Sequence, residues 1–352
     1  MSKHYKNLIP FCSDNSAYPT ISHLMSTKPS LDSLIKWAET FESTSRWLKR
    51  MNKRKSNGQA SVHTLKSYFQ PMKLFCYYAG LNPDQLVAER EEDLLKKSRF
   101  ERRRAEDRLD AWFAILQKEN RAPGSNALSY YAVCSFYKAN LMPLVVDVAP
   151  KSFPVKRKPT LKKDNLRALL EEAEKPIHKA LIFCQAQSGL GISDLLQRRV
   201  GEVSKQFEAG AERLHFHLRR IKEEAVEFDS FFGAGSTRML KAYLEDRKVV
   251  DQNECLFPCT SVDSGTRNFD EVLRRLSSKA GLGWYVSSHD LRKFFSNSLK
   301  TAHPGDPAFN DSLIEYWMGH SLSRTQGVYT APPVEDQLRL YILAEPRLDP
   351  YS

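Results

Sequence analysis

Apolar residues recur at the spacing of helix faces through the first part of the chain, from about Leu31 onward. Gly80 stops the first clear face, and Asn82 followed by Pro83 is typical of the cap and first position of a new helix. The apolar positions of the four predicted helices are Leu65, Phe69, Met72 and Phe75; Leu86, Leu94 and Leu95; Leu109, Trp112, Phe113 and Leu116; and Leu128, Tyr131, Phe136 and Tyr137. We predict a helical domain over residues 31–145, with its aromatic side chains in the core.

Two segments beside this domain lack helical periodicity. Residues 1–30 are rich in Ser, Thr, Pro and Asn, a composition that predicts a flexible N-terminal arm. Residues 146–160 combine clustered basic residues with three prolines from position 150 onward, and proline blocks helix formation. This second segment is therefore predicted to be a basic linker.

Residues 161–352 are predicted to form a second domain. Helical patterns cover Leu161–Glu174, Pro176–Leu190 and most of Thr237–Leu343. Between them, Arg213–Phe232 alternates between apolar and polar residues, which indicates two antiparallel strands with a turn near Lys222–Ala225. His215 and His217 then share one strand face, where such a pair more often packs than binds a metal. The predicted fold class is mainly α with a small antiparallel β-sheet.

Composition supports two globular domains. The chain has 352 residues, of which 41% are hydrophobic, and its mean hydropathy is −0.50. The sequence contains no apolar run long enough for a membrane span and no apolar secretory core near Met1, so we expect a cytoplasmic protein without membrane contact. The six cysteines lack the dense spacing of a disulfide framework, and Cys255 and Cys259 lack the second pair of a zinc site. We predict reduced thiols and no bound metal.

The balance of charge points to a polyanionic partner. The formal net charge is +11 and the pI is near 9.2, and basic surfaces gain affinity for nucleic acid by releasing its counterions. Two clusters nearly free of acidic residues are Arg46, Lys49, Arg50, Lys53, Arg54 and Lys55, and Lys151, Lys156, Arg157, Lys158, Lys162 and Lys163. Either cluster alone is equally typical of a solvated surface. Because they flank the predicted helical domain, we predict contact with double-stranded DNA.

Four chemical features follow one another in the second domain. They are Lys222 in the predicted hairpin, a His-x-x-Arg motif formed by His289 and Arg292, a Gly-His pair ending at His320, and Tyr329 nine residues later. Each feature alone is common in unrelated proteins. Their order and spacing together resemble the tyrosine recombinases of the integrase type.

The resemblance extends over nearly the whole chain. SGLGISDLL is similar to the family's first box, SHDLRKFFSNSL to its second, and YWMGHSLSRTQGVYT to its third box with the nucleophile. The helices around Tyr68–Phe75 and SYYAVCSFYKAN resemble its DNA-clamping core-binding domain. The third box and the tail PPVEDQLRLYILAEPRL look most like integrases of archaeal mobile elements.

The resemblance implies an activity and a role for each site residue. Tyr329 would attack a DNA phosphate and form a 3′-phosphotyrosyl intermediate, while Arg292 and His320 stabilise the charge of the transition state. His289 would act as acid/base and orienting partner, and Lys222, with Arg219 or Arg220 as alternatives, would protonate the departing 5′-oxygen. A homo-tetramer would exchange strands of two duplexes through a Holliday junction, without metal or cofactor; without DNA a monomer is the alternative.

One position departs from the family pattern. The first box normally reads Gly-Leu-Arg, and its arginine grips the scissile phosphate, whereas this chain has Gly191 at the arginine position. If the following segment is helical, Arg198 lies about two turns further on nearly the same face and is the candidate replacement. The alternatives are that no residue replaces it and the enzyme is slow, or that an arginine from elsewhere serves.

Two other functions stay open at this stage. A type IB topoisomerase-like enzyme shares the tyrosine chemistry but nicks and closes a single duplex. A DNA-binding relative with impaired catalysis is the other alternative, and Gly191 is the feature that supports it.

Overall fold

The computed structural model describes residues 29–53, 58–119, 121–146, 150, 158–219, 227–248, 251–301, 305–320 and 332–352. The chain divides into two compact units, Met1–Arg157 and Lys158–Ser352. Among the helices described, none is both long enough and apolar enough to cross a membrane. Most of the predicted arm and linker lies outside the described residues.

The described part of the first unit is helical. Its helices are α1 Leu31–Thr40, α2 Glu42–Lys53, α3 Val62–Ala79, α4 Pro83–Leu95, α5 Arg104–Lys118 and α6 Pro123–Ala139, with a 3-10 turn at Glu101–Arg103. Helices α3 and α6 pack together around an aromatic core. In this core Trp47 lies edge-on to Phe69 and Phe136, and Phe75 lies edge-on to Trp112.

The caps of α3 and α4 confirm the sequence prediction. Gly80 ends α3 with a left-handed φ of 65°. Asn82 caps α4 in a capping box with Gln85, and Pro83 takes the first helical position.

The core prediction is wrong at four surface positions. Leu95 and Leu94 are exposed because the buried face of α4 continues from Leu86 to Arg90 and Asp93. Tyr131 and Leu128 are exposed because α6 buries their neighbours Tyr130 and Ala127 instead. The spacing of apolar residues therefore predicted both helices correctly, but it did not predict which residues of each helix point into the core.

The second unit confirms the predicted fold class, mainly α with one small antiparallel sheet in its described part. Its elements are α7 Lys163–Glu172, α8 Pro176–Ser188, α9 Ile192–Leu196, α10 Val200–Glu208, β1 Leu214–Arg219, β2 Glu227–Phe232, α11 Ala234–Arg247, α12 Val262–Lys279, α13 Ser288–Lys300, α14 Asp311–Trp317, α15 Val334–Ala344 and a 3-10 turn at Glu345–Arg347. The strands pair from Leu214↔Phe232 to Arg219↔Glu227.

Helix α8 is the centre of the second unit. Its last nine residues, 180–188, are all buried, and it packs against α11, α13 and β2. Helix α15 closes another side, where the hydroxyl of buried Tyr341 donates to the carbonyl of Gln187 at 2.7 Å. The residues that follow α8 are thereby held against the helix of the His-x-x-Arg motif.

Candidate active site

The His-x-x-Arg motif occupies the first turns of α13, whose start is fixed by a cap. Ser287 precedes the helix, and its backbone N–H and its hydroxyl both donate to Asp290 Oδ2, at 2.9 and 2.7 Å. Leu291 and Phe294 anchor the opposite side of the helix in the core. The sequence leaves Ser287 or Ser288 as the cap of this helix, and the structure places Ser287 there, which fixes the turn that carries His289.

Arg292 brings the three boxes together. Its side chain is buried, Nη1 donates to the carbonyl of Gly189 at 2.7 Å, and Nη2 donates to the carbonyl of Met318 at 2.7 Å. Gly189 belongs to the first box, and Met318 directly precedes the Gly-His pair of the third. A single guanidinium on the second box thus holds the main chains of the other two.

Glycine is required at one end of this bridge, Gly189, and next to the other end, at Gly319. Gly189 has φ +64°, and a Cβ there would lie 2.3 Å from the ring of Phe295. Gly319 has φ +66°, and a Cβ there would lie 2.7 Å from the ring of Phe228. The left-handed backbone and the close approach each exclude a side chain at these positions.

His320 is oriented by Glu315, five residues earlier. The backbone N–H of His320 donates to the carbonyl of Glu315 at 2.9 Å, and its Nδ1 contacts Glu315 Oε2. Lys300 binds the other carboxylate oxygen at 2.7 Å. Burial raises the pKa of Glu315, but the bonds from His320 and Lys300 outweigh burial and hold that pKa below its usual value. An ionised Glu315 fixes Nδ1–H, which leaves Nε2 as the nitrogen that meets a ligand.

His289 is exposed beside Arg292 on the same helix. Partial desolvation lowers its pKa, and the positive charges of Lys293, Arg292 and Lys158 lower it further, while Asp290 opposes them. At neutral pH the ring is therefore uncharged and can accept a proton.

Position 191 borders the guanidinium of Arg292. Gly191 caps α9 with φ −61° and ψ 140°, a conformation that any residue can adopt. An added Cβ would lie 3.9 Å from Arg292 Nη1 and 2.9 Å from Asp194 Oδ2. The departure from the family pattern thus lies directly at the site, and the backbone does not require glycine there.

The premise for Arg198 as a replacement is wrong. Helix α9 ends at Leu196, because the chain from Arg198 to Val200 pairs with residues 254–256 instead of continuing the helix. The Arg198 side chain donates to the carbonyl of Asp194 at 2.9 Å and pairs with Glu202 at 2.7 Å. These contacts give Arg198 a local structural role.

Lys158 is the one basic residue of the predicted linker, 146–160, that lies in the described part of the chain, and it contacts the start of α13. Its Nζ lies 3.3 Å from Asp290 Oδ2 and 3.4 Å from the carbonyl of Tyr285. Sequence reasoning assigned this lysine to DNA contact but did not foresee its place beside His289. Its partners are separated from it by more than a hundred residues, so no sequence spacing could reveal the contact.

In the first unit, the basic residues of α2 lie on one face. Arg46, Lys49, Arg50 and Lys53 follow helical spacing, whereas Trp47 on the same helix is buried. Arg46 pairs with Glu42 at 2.6 Å, and Arg50 donates to the carbonyl of Lys138 at 2.9 Å. These contacts hold the guanidinium groups of Arg46 and Arg50 in place on the basic face of α2.

Several predicted residues lie outside the described part of the chain. Lys222 belongs to the connection between β1 and β2, and Tyr329 to the connection between α14 and α15. The remaining ones are Arg54, Lys55, Lys151, Lys156 and Arg157. Their roles stay predictions. Sequence reasoning missed Glu315, because a contact across a helix end follows no helical period.

Comparison with known proteins gives one family and one fold. The family model described as the phage integrase family matches residues 159–335, half of the 352-residue chain. A search of curated protein sequences found no match.

Two solved structures are similar over most of their length. XerH site-specific recombinase in a post-cleavage complex with a palindromic difH substrate has a TM-score of 0.52 and 15% identity, over 90% of this chain and 97% of that one. A lambda integrase dimer bound to a COC′ core site has a TM-score of 0.52 and 15% identity, over 80% and 96%. At such identity the likeness shows the fold, and the closer resemblance to integrases of archaeal mobile elements stays a prediction.

Proposed function

The chain belongs to the phage integrase family, and from that premise we propose that it is a site-specific DNA recombinase in which Tyr329 becomes covalently joined to a DNA phosphate. The observation that carries the proposal is the bridge made by Arg292. Its guanidinium binds the main chain before His320 and the main chain of the first box, while His289 lies on its own helix. One phosphate in front of these groups would meet residues from all three boxes.

The chemistry explains the choice of residues. Reversible cutting without ATP needs a nucleophile that retains the energy of the phosphodiester, and a phosphotyrosine ester does so. The transition state gains charge on its non-bridging oxygens, which preoriented guanidinium and imidazole groups stabilise better than water can. Arg292 and His320 would supply these donors, and Lys222 would protonate the leaving 5′-oxygen.

His289 would act as a proton acceptor and donor beside Arg292. Its lowered pKa favours the neutral ring, the form that takes the proton from the attacking hydroxyl. Without an arginine at position 191, one charge-assisted donor of the family's site is missing, so the reaction would be slower than the complete set allows.

DNA contact would involve both units. In the first unit, the basic face of α2 would contact phosphates, and in the second, Lys158 would contact the backbone next to α13. The basic linker between them would cross the duplex. Both relatives above are bound to DNA, one of them as a dimer. For this chain we propose a tetramer that exchanges strands of two duplexes through a Holliday junction.

A DNA-binding relative with impaired cleavage is the second candidate function. Gly191 favours it, since position 191, where the family pattern has an arginine, borders the Arg292 guanidinium and carries no side chain. Covalent capture of DNA would exclude this candidate.

The test is Tyr329→Phe with nicked duplexes tiled across the DNA that flanks the coding sequence. The parent should form an adduct that resists SDS, and the variant should bind DNA equally but form none. Tyr351→Phe is the matched control, because Tyr351 is an exposed tyrosine near the C-terminus. An adduct with Tyr329→Phe would overturn the assignment of the nucleophile, and closed circles without junction products would favour the topoisomerase-like enzyme.

A further inference from the structure

A buried carboxylate joins four elements of the second unit. Asp229 lies on β2 and is 4% exposed. Its Oδ1 lies 2.8 Å from Nε2 of His215 and 3.1 Å from Nδ1 of His217, both on β1. Its Oδ2 accepts hydrogen bonds from the hydroxyl of Tyr316 at 2.7 Å and from Nε2 of Gln337 at 3.0 Å. We call these five side chains the Asp229 node.

The node lies where two important connections begin and end. Strand β1 precedes and β2 follows the connection that contains Lys222, and both strands contribute to the node. Tyr316 is on α14, which precedes the connection that contains Tyr329, and Gln337 is on α15, which follows it. A single carboxylate therefore joins the four elements that flank the two chain segments containing Lys222 and Tyr329, the proposed general acid and nucleophile.

The hydrogen bonds to Asp229 hold β1, β2, α14 and α15 in fixed positions relative to one another. Burial raises the pKa of Asp229, but the hydrogen bonds from His215, Tyr316, Gln337 and His217 outweigh burial and hold that pKa far below its usual range. The carboxylate is thus ionised at every pH at which the protein would work. Charge-assisted bonds to a buried carboxylate are shorter and stronger than neutral ones.

Gln337 is itself held in one orientation. It is 1% exposed, its Oε1 accepts from Nε1 of Trp317 at 2.8 Å, and its Nε2 also donates to the carbonyl of Pro332 at 2.8 Å. The node therefore extends to the main chain of Pro332, three residues after Tyr329.

We propose that Asp229 is a positioning residue that holds the Lys222 hairpin in register with the helices that flank Tyr329. The proposal rests on the proposed function of this site. Among the described residues the Asp229 carboxylate binds His215, His217, Tyr316 and Gln337. Its proposed action is therefore through Lys222, whose proton must reach the leaving oxygen on the side opposite the attacking tyrosine. A misplacement of about 1 Å at a reacting group can cost about a hundredfold in rate.

The experiment uses the full chain and measures single-turnover cleavage of a captured duplex and of the same duplex with sulfur as the 5′-bridging atom. A departing thiolate needs no proton, so defects in the general acid disappear on the sulfur substrate. Asp229→Asn should lose about a hundredfold on the oxygen substrate and less than about fivefold on the sulfur substrate. Combining Asp229→Asn with Lys222→Ala should be no slower on the oxygen substrate than Lys222→Ala alone.

Asp93→Asn is the matched control, because Asp93 is a buried carboxylate of the first unit. This variant should lower the free energy of unfolding without changing the ratio of the cleavage rates on the oxygen and sulfur substrates. If Asp229→Asn folds poorly, Tyr316→Phe removes one donor to Oδ2 and should show the same pattern with a smaller loss.

Equal losses on the two substrates, or full additivity with Lys222→Ala, would show that Asp229 does not act through the hairpin. The proposed function would stand in that case, provided the parent forms the Tyr329 adduct. If the unmodified protein forms no covalent adduct with DNA, the proposed function and the proposed role of Asp229 are both overturned.

Discussion

Arg90 and Asp93 in the first unit and Arg292 and Asp229 in the second are buried charged residues that are held in different ways, although the second unit also contains a buried ion pair, Glu345 with Arg213 at 2.6 Å. In the first unit, buried charges face opposite charges: Arg90 binds both carboxylate oxygens of Glu106 at 2.9 and 2.6 Å, and Asp93 binds Lys96 and Arg104 at 2.6 and 2.9 Å. In the second unit, Arg292 binds two main-chain carbonyls, and the Asp229 carboxylate binds histidine, tyrosine and glutamine side chains.

Buried charges that are paired with opposite charges contribute to stability, whereas buried charges that are bound by neutral groups are held in one orientation. A buried ion pair compensates the desolvation of both partners, and removing one partner leaves the other charge buried alone. A carbonyl or an amide fixes the direction of a charged group without cancelling the charge. The first arrangement is suited to hold helices together, and the second is suited to place charged groups for chemistry on an anion.

The largest expected effect is on Arg292. Arg292→Gln should slow single-turnover cleavage by about a thousandfold, because a preoriented donor to the transition state is lost. The melting temperature should fall only modestly, since the amide can still donate to one of the two carbonyls. Arg292→Lys keeps the charge without the two-pronged geometry and should recover little. A variant that cleaves normally once folded would remove Arg292 from the site.

Arg90 should show the opposite pattern. Arg90→Gln should lower the free energy of unfolding by about 3–5 kcal/mol, measured in urea, because Glu106 is left buried without its partner. The double variant Arg90→Met with Glu106→Leu should recover most of this loss, because both charges leave together. Cleavage by the folded fraction should not change. A rate loss like that of Arg292→Gln would erase the contrast between the units.

Gly191→Arg should raise the cleavage rate by about ten- to a hundredfold, because it returns a charged donor next to Arg292. Within the described part of the chain, the Cβ of the new side chain comes closest to the end of the Asp194 side chain, which can rotate and then pair with the arginine. Gly191→Ala adds the Cβ without the charge and should bring no gain. Arg198→Ala should leave the rate nearly unchanged, and a large loss there would restore Arg198 as the replacement.

The smallest effect concerns the pKa of His289. Lys293 is exposed, and its positive charge helps to lower that pKa, so Lys293→Gln should raise it. The acid limb of the pH–rate profile should then move to higher pH, because more of the ring is protonated at a given pH. Asp290→Asn should lower the pKa of His289 and move the acid limb to lower pH, because the charge of Asp290 raises that pKa. NMR titration of the His289 ring, assigned with His289→Gln, measures the pKa, and an unchanged value would contradict the charge argument.

Local patterns predicted the elements well. Asn82 with Pro83 and Ser287 mark helix starts because a cap depends on a few consecutive residues. The alternation around His215 predicted the strand pair, since a strand places every second residue on one face.

Long-range contacts account for the failures. Helix α9 stops early because the main chain at Arg198 pairs with Leu256, which no local pattern records. The sequence motifs identified Arg292 and His320 as site residues. Glu315 and Asp229 could not be identified in this way, because their partners lie on other elements or across a helix end. Sequence therefore revealed the groups proposed to act on DNA and not the groups that orient them.

The backbone at position 191 also has an evolutionary consequence. Gly189 and Gly319 are fixed by geometry, whereas Gly191 has ordinary dihedral angles and a neighbour that can move. Every glycine codon is a single base change from an arginine codon. Under selection for faster strand exchange, a mutant library can therefore sample arginine at 191 in one step, while changes at the other two glycines are purged. The rate of the proposed strand exchange would therefore be open to change by a single base substitution at position 191.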